Sequence, residues 1–435
     1  MLKNKIQPNL SRKIHPTRLL EIVGLSGILL TYPMIYANAA PNNYGDDTVQ
    51  LNQFYDPSYD PIGLDVWAFT LNPSLTTSTK FTDNVYAVDN NAQSDRIWIA
   101  RGELLLKSNF TRHKLNVRSF TELGRYSDFG SEDYDDHGIS MDARIDVTDS
   151  DNIPLTFNFA KLHEDRENPD NQGNLNPLLY RLSEGSAGLV HTQQTIIYKI
   201  ITTLRRMVYE DSEGTSGTID QSVRDKDIFG VYTNVGIIPD AIIAPYIYGN
   251  FLKLDYPHLE ASGISRNSTD IEAGLGTIVT ISALTRLSFN AGQKNRNFDD
   301  NAFDDLKTFT YGSNISWEPL EYLSFLLEAD KTIQEATFTG TSASINTTYR
   351  ISANYQIRDN LYLQPAYSLL DRNYQGAAGG RLQTESSGLN IVYKMNPNIW
   401  MNASYQHTNQ DKKEDASGLR AFQKDLYGLS LKLQF

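Results

Sequence analysis

The sequence predicts an all-β protein: a single transmembrane, antiparallel, up-and-down β-barrel of about 18 strands, with 16 as the smaller alternative. Three observations predict it. After residue 63 the chain falls into segments of about 10 to 16 residues in which apolar and polar side chains alternate, as in strands with one apolar and one wet face. Connections between segments alternate strictly between short turns and longer polar stretches, which gathers each kind at one end of the sheet. The chain closes on "YGLSLKLQF", placing Tyr427, Leu429, Leu431, Leu433 and Phe435 on one face and Gly428, Ser430, Lys432 and Gln434 on the other.

Composition narrows the class. Across 435 residues no linker or composition break appears beyond residue 62, so one repetitive unit is expected rather than two or three soluble domains. The 25 Tyr and 18 Phe, with abundant Thr, Asn and Ser, suit strands, and helical periodicity is scarce after the N-terminal region. A mean hydropathy of -0.43 excludes a bundle of membrane-spanning helices. The net charge of -13 argues against nucleic acid as a partner, since phosphate binding needs clustered Lys and Arg. With no cysteine, disulfides, thiolate zinc sites and cysteine nucleophiles are all excluded.

The elements follow in order. Lys3, Lys5, Arg12, Lys13 and Arg18 precede the apolar "LLEIVGLSGILLTYPMIYANAA", which closes on Ala37-Asn38-Ala39. This is the pattern of an export signal over residues 1–39, cleaved after Ala39; Glu21 and the long basic region leave a retained anchor helix as the alternative. Residues 40–62, rich in Pro, Asn and Asp without periodicity, read as a loose leader, and 63–435 as the barrel. Strands are expected to begin near residues 65, 95, 112, 133, 153, 181, 196, 223, 241, 268, 284, 306, 320, 343, 360, 382, 398 and 423. An even count returns both ends to one side. "LTFNFA" sets Leu155, Phe157 and Phe159 against Thr156 and Asn158, and "RLSFNAG" sets Leu287, Phe289 and Ala291 against Arg286, Ser288 and Asn290. In "TIIYKIITTLRRMV" and "AIIAPYIYGNFL" both faces are partly apolar, and the pattern does not assign an inside. Short turns include 109–112, 149–152 and 395–398; longer loops include 86–95, 163–177, 210–222 and 409–422. Short turns would lie in the periplasm and long loops outside the cell. Trp67, Tyr126, Tyr256, Tyr311, Trp317, Tyr322, Tyr393 and Tyr405 are the expected interfacial aromatics. The last strand should pair with the first, because an open edge in hydrocarbon leaves costly unpaired backbone groups.

Residues 64–190 carry a family resemblance. Asp83-Asn84-Val85-Tyr86, Arg112-His113, Tyr126 with Asp133-Tyr134-Asp135, then His163, Glu164, Arg166 and Pro177 resemble the outer-membrane β-barrel porins found with exopolysaccharide gene clusters, the EpsL type. The C-terminus looks like the signal read by the barrel assembly machinery, with Tyr427, Gly428, Leu429, Leu431, Leu433 and the terminal Phe435 as its residues. The resemblance implies a bacterial outer-membrane barrel, surrounded by lipid and lipopolysaccharide, that serves exopolysaccharide biosynthesis or export beside an export apparatus. A general diffusion porin for small solutes, or a surface-binding barrel, are the alternatives. A loop folded into the lumen would favour the porin, with the connection from 163 onward as the candidate.

For a conduit the useful side chains face the lumen. Arg118, Arg144, Arg286, Arg350 and Lys394 fall on the polar phase, with Asp142, Asp146 and Glu272 nearby in phase. Such cations would either attract an acidic polymer by field focusing or pair with the acids and keep the interior hydrated. The acidic loops "GSEDYDDHG" and "FDDNAFDDL" supply oxygen ligands but lack the ordered spacing of a calcium loop. No catalytic residue, cofactor or metal site is expected, since the seven histidines show no metal-ligand spacing. A Ser/His pair assembled across strands is the remaining catalytic alternative, with His113 and His191 as its histidines.

Overall fold

The computed structural model describes residues 57–435, apart from 172, 173, 261, 338, 339, 378 and 415–417. The expected export signal and most of the expected leader lie outside the described residues. Eighteen strands, from Phe69–Thr82 to Phe422–Gln434, each pair antiparallel with the next in sequence. The ring closes where the last strand pairs with the first, from Ser74↔Gln434 to Thr82↔Leu426. The barrel therefore has no open edge, and its strand number is the larger of the two expected.

Expected starts at 95, 196, 268, 306 and 343 coincide with Asp95, Ile196, Ser268, Leu306 and Ala343. The first strand, expected near 65, starts instead at Phe69. There the chain folds back on itself: Leu64–Val66 pairs with Phe69–Leu71 across a tight reversal in which Trp67 takes a φ of 55°. A second small hairpin, Ser212–Gly214 with Gly217–Ile219, stands within loop 210–225.

Side-chain alternation separates two surfaces. Leu75, Leu104, Ile139, Phe157, Phe159, Ile200, Ile247, Ile271, Phe289 and Ile351 stand exposed on the outside, where they form the lipid-facing belt. Trp317, Tyr322, Tyr393 and Tyr405 also point outward, in keeping with interfacial girdles. Tyr126 and Tyr256 do not join them: Tyr126 shares the lumen phase of Glu122 and Gly124, and Tyr256 is buried, its hydroxyl donating to Glu335 (2.9 Å).

The interior is filled unevenly, which explains the two ambiguous segments. Tyr180, Leu182 and Met207 form one buried apolar cluster facing inward, and Ile228, Leu252, Leu254 and Tyr256 form another. Both occupy the extracellular half, on strands joined by the long loops. Ile196, Tyr198, Ile200 and Leu204, in contrast, face outward. These strands are apolar on both faces because one meets lipid and the other packs under loops.

Candidate functional site

The closing strand presents Tyr427, Leu429, Leu431, Leu433 and Phe435 on its exposed outer face, while Lys432 and Gln434 are buried against the interior. Gly428 sits on the inner phase, where a Cβ would come within 2.5 Å of Ser404 Oγ. Phe435 ends the chain at the periplasmic rim, its backbone N–H donating to Pro73 (3.2 Å).

All five sequence-predicted cations project into the lumen, and four have definite neighbours. Arg118 reaches Glu103 (3.5 Å), which Arg101 also approaches (3.6 Å) while pairing with Glu122 (3.0 Å). Arg144 pairs with Asp146 (2.9 Å) and Arg350 with Glu328 (3.2 Å). Lys394 stands 4.4 Å over the Trp400 ring and 5.2 Å over Tyr362, a cation–π arrangement that holds the ammonium against the wall. Arg286 has no acidic partner among the described residues, and its Nε is buried without a hydrogen bond. Of the acids expected beside them, Asp142 pairs with Lys114 (3.2 Å), and Glu272 accepts from Tyr248 (3.0 Å) and Thr310 (2.8 Å). These rows are a mostly neutralised, hydrated wall rather than a continuous cationic track.

The defining feature is loop 165–177, which leaves the fifth strand, Asp151–Glu164, and crosses the extracellular half of the lumen. Near its start the Arg166 guanidinium forks onto Glu132 through Nε (2.8 Å) and Nη2 (2.6 Å) and donates a third bond to the Asn174 carbonyl (2.8 Å). Glu167 pairs with Lys424 (2.8 Å), on the inner face of the last strand. Arg420 donates to the carbonyls of Arg166 (3.2 Å) and Asn171 (3.0 Å). Asp170 accepts from the backbone N–H of Thr337 (3.1 Å), just after the thirteenth strand, Leu323–Glu335. In a ring of eighteen, the fifth and thirteenth strands lie nearly opposite. The loop is thus fastened at both sides of the barrel.

A second lock sits beside it. Glu164, at the loop's base, receives both Nη atoms of Arg224 (2.7 and 3.0 Å), and the same guanidinium lies 4.3 Å over the Tyr209 ring. Burial works against the Arg224 charge, but Glu164 outweighs it and holds the group above its ordinary pKa. Further round, Asp270 accepts from Arg296 (2.6 and 2.8 Å) and pairs with Lys294 (3.1 Å), all three about 1% exposed. Lys226 pairs with Glu335, and Arg266 donates to the carbonyls of Ala336 (2.5 Å) and Thr341 (3.0 Å). Side chains this polar would be hydrated in an open channel; here they are buried, with the Tyr256 hydroxyl donating to Glu335 (2.9 Å) beside them. In the periplasmic half, Arg118, Asp142 and Arg350 keep about two fifths or more of their side chains accessible. The extracellular side of the lumen is therefore closed down, while the periplasmic half leaves Arg118, Asp142 and Arg350 accessible but buries Ser324, Asn354, Tyr362 and Trp400, the last donating to the Tyr59 carbonyl (3.2 Å).

Two features escaped sequence reading. The buried ion pairs join residues from 24 positions apart, Asp270 and Lys294, to 109 apart, Lys226 and Glu335, across different strands and loops, and no local pattern reports them. The other was detectable: "PYIYG" lies beside a strand carrying "AGLGT". Gly274, Gly276 and Gly292 form seats for tyrosine rings, since a Cβ at Gly276 would come within 2.2 Å of Tyr246 Cζ and one at Gly274 within 2.6 Å of the Tyr248 ring. Only glycine lets both rings lie flat on the wall.

Among the described residues, His113 and His191 meet a backbone N–H and a carboxylate rather than a hydroxyl. His191 Nδ1 meets Asp151 (2.7 Å), but the nearby Thr148 hydroxyl donates to that same carboxylate (2.6 Å) rather than to the imidazole. His113 Nδ1 accepts from the Asp146 backbone N–H (3.2 Å). In the acidic stretch 130–138 the carboxylates have basic partners: Glu132 meets Arg166, Asp135 meets Arg125 (2.6 Å) and Asp136 meets the His163 imidazole (2.9 Å).

A closed strand ring with an apolar outer belt, a polar lumen and an infolded loop defines a porin-like β-barrel of the outer membrane. Residues 56–435 match the model of the family described as "Putative beta-barrel porin 2", and the chain belongs to that family. No curated protein matches it. Among solved structures, OpdQ of Pseudomonas aeruginosa is 12% identical, covering 87% of this chain and 99% of that one, with a TM-score of 0.45. A mutant of the Pseudomonas aeruginosa ferric enterobactin receptor PfeA is 7% identical, with 84% and 80% covered and a TM-score of 0.47. OccAB3 of Acinetobacter baumannii is 10% identical, with 85% and 100% covered and a TM-score of 0.45.

Proposed function

We propose that the protein is a passive, non-catalytic outer-membrane channel for small solutes, narrowed on its extracellular side by loop 165–177. The observation that carries this reading is the fastening of that loop at Glu132, Thr337, Arg420 and Lys424, on both sides of the lumen. Ions and small solutes can pass between such loop segments, whereas a polymer chain needs an unobstructed bore. Pairing of Arg118, Arg144 and Arg350 with carboxylates supports a hydrated pore rather than an anion-concentrating one. The same reading places the protein in the outer membrane after export and cleavage of residues 1–39, with lipopolysaccharide around it and the closing strand as the address read by the assembly machinery.

An accessory role in exopolysaccharide biosynthesis or export is the second reading. Its support is the resemblance of residues 64–190 to porins found with exopolysaccharide gene clusters; the inner-wall amides of Asn354, Asn390, Asn402 and Gln406 are buried and do not themselves present a glycan surface. That role requires loop 165–177 to swing aside or the polymer to pass elsewhere. Planar-bilayer recording of the refolded protein, with and without polysaccharide, separates the two. Ohmic small-ion current that the glycan leaves unblocked supports the solute channel. Block by glycan, together with loss of secreted polysaccharide on deletion of the gene, would replace it with the export reading.

A further inference from the structure

Charges at the constriction are matched one against one, with a remainder. Arg166 meets Glu132 (2.6 Å), Lys424 meets Glu167 (2.8 Å) and Arg224 meets Glu164 (2.7 Å), so each of these cations is cancelled at contact distance. Asp165 and Asp170 have no cation that close among the described residues, yet both stand among positive charges. Asp165 lies in the field of His163, Lys424 and Lys80, and Asp170 in that of Arg224.

Arg420 is the remainder. It follows the buried Leu419 in the last extracellular loop, ahead of the closing strand Phe422–Gln434, and its side chain reaches across to loop 165–177. There Nη2 donates to the carbonyls of Arg166 (3.2 Å) and Asn171 (3.0 Å), neutral acceptors that fix the guanidinium without cancelling its charge. Burial and the Arg166 charge both press its pKa below the ordinary value, and no carboxylate among the described residues offsets them. The group keeps its proton all the same, because arginine does not deprotonate in proteins. Nε and Nη1 meet no acceptor among the described residues and are not buried, so these N–H groups face solvent. Of the other inner-wall guanidiniums without a carboxylate partner, Arg372 is 4% exposed, out of reach of a passing ion, and Arg286 stands near the periplasmic end, away from the loop. The lower wall adds little sign of its own, since Arg118, Arg144 and Arg350 are paired. A fixed and uncancelled guanidinium at the constriction then decides which sign of ion passes.

We propose that the constriction admits small anions in preference to cations, and that Arg420 is the residue that sets this preference. The inference rests on the small-solute channel reading and names the sign of its solutes, with chloride, phosphate and short carboxylates as members of the class. Reversal potentials of the refolded protein in planar bilayers under a KCl gradient test it. The wild type should favour Cl⁻ over K⁺. Arg420→Gln, which keeps an amide donor for the loop carbonyls, should lower the Cl⁻/K⁺ permeability ratio about five-fold, the weight of one unit charge at contact distance in water, whereas Arg420→Lys should keep it. A residue that only fastens the loop would alter conductance and leave the ratio alone. A heat-modifiable gel shift confirms each variant as folded. A wild type that favours K⁺, or neither ion, would overturn the proposal, as would an unchanged ratio in folded Arg420→Gln. Ohmic current without Cl⁻ preference refutes this inference alone; absence of any current refutes the channel and the inference with it.

Discussion

Replacing Arg166 by alanine should release the constriction loop, and the size of the effect follows from its surroundings. The guanidinium makes a two-pronged contact with Glu132, donates a third bond to Asn174, and lies 5.8 Å from the Tyr86 ring centroid. Its side chain is 10% exposed and that of Glu132 only 2%, so the lost partner cannot be replaced by bulk water while the loop stays in. Breaking a buried pair by removing one member costs about 3–5 kcal/mol, chiefly because the other charge is stranded. At about 1.4 kcal/mol per power of ten, the ratio of loop-out to loop-in should rise by about two to three and a half powers of ten. Single-channel recording of Arg166→Ala should show a larger conductance level visited far more often than in the wild type. Removing both charges, in Glu132→Ala with Arg166→Ala, should recover part of the loss, since nothing charged is left buried. Identical current histograms in the wild type and Arg166→Ala, with no coupling in the double variant, would refute the fastening of loop 165–177 by this pair.

Other perturbations test other parts. Gly276→Ala forces a Cβ to within 2.2 Å of Tyr246, an overpacking worth about 1–3 kcal/mol; the heat-modification midpoint should fall, and an unchanged midpoint would mean that the ring is not seated there. A lysine at Leu431 should cost about 2–4 kcal/mol in a lipid environment and impair assembly, whereas Ser430→Ala, on the inner phase and with no hydrogen bond from its hydroxyl, should be tolerated; equal yields of folded barrel would place the outer face of the closing strand away from lipid. Asp300 accepts the backbone N–H groups of Ser265 (3.0 Å) and Ala302 (2.9 Å), and these bonds hold its carboxyl below the ordinary value of 3.8. A carboxyl lowered in the folded state stabilises above its unfolded pKa and stops doing so as pH falls through the folded one. Amide exchange at Ser265 should therefore accelerate below about pH 4, and Asp300→Asn should exchange fast at every pH.

Much of the architecture was legible because a barrel wall is a periodic object. "LTFNFA" and "RLSFNAG" fix their own faces, since lipid takes one phase and water the other. Where the inner phase meets packed loops instead of water, as at Met207 and Leu252, the alternation vanishes, and with it the sequence signal. The first strand was displaced because Leu64 and Val66 alternate as well as barrel residues do, and only the reversal at Trp67 separates them. The pairing of the lumen cations was not readable: Glu328 opposite Arg350 is a matter of register between strands. Loop 165–177 stood out by length and polarity, while its anchors at Thr337 and Arg420 depend on closure of the whole ring.

Size-graded efflux from liposomes carrying the refolded protein tests the central claim most directly. A barrel constricted by loop 165–177 should release a monosaccharide rapidly and retain a polymer of several kilodaltons, and shortening the loop between Arg166 and Asn176 should raise the cut-off. Equal release of monosaccharide and polymer by the wild type, unaffected by shortening that loop, would contradict it.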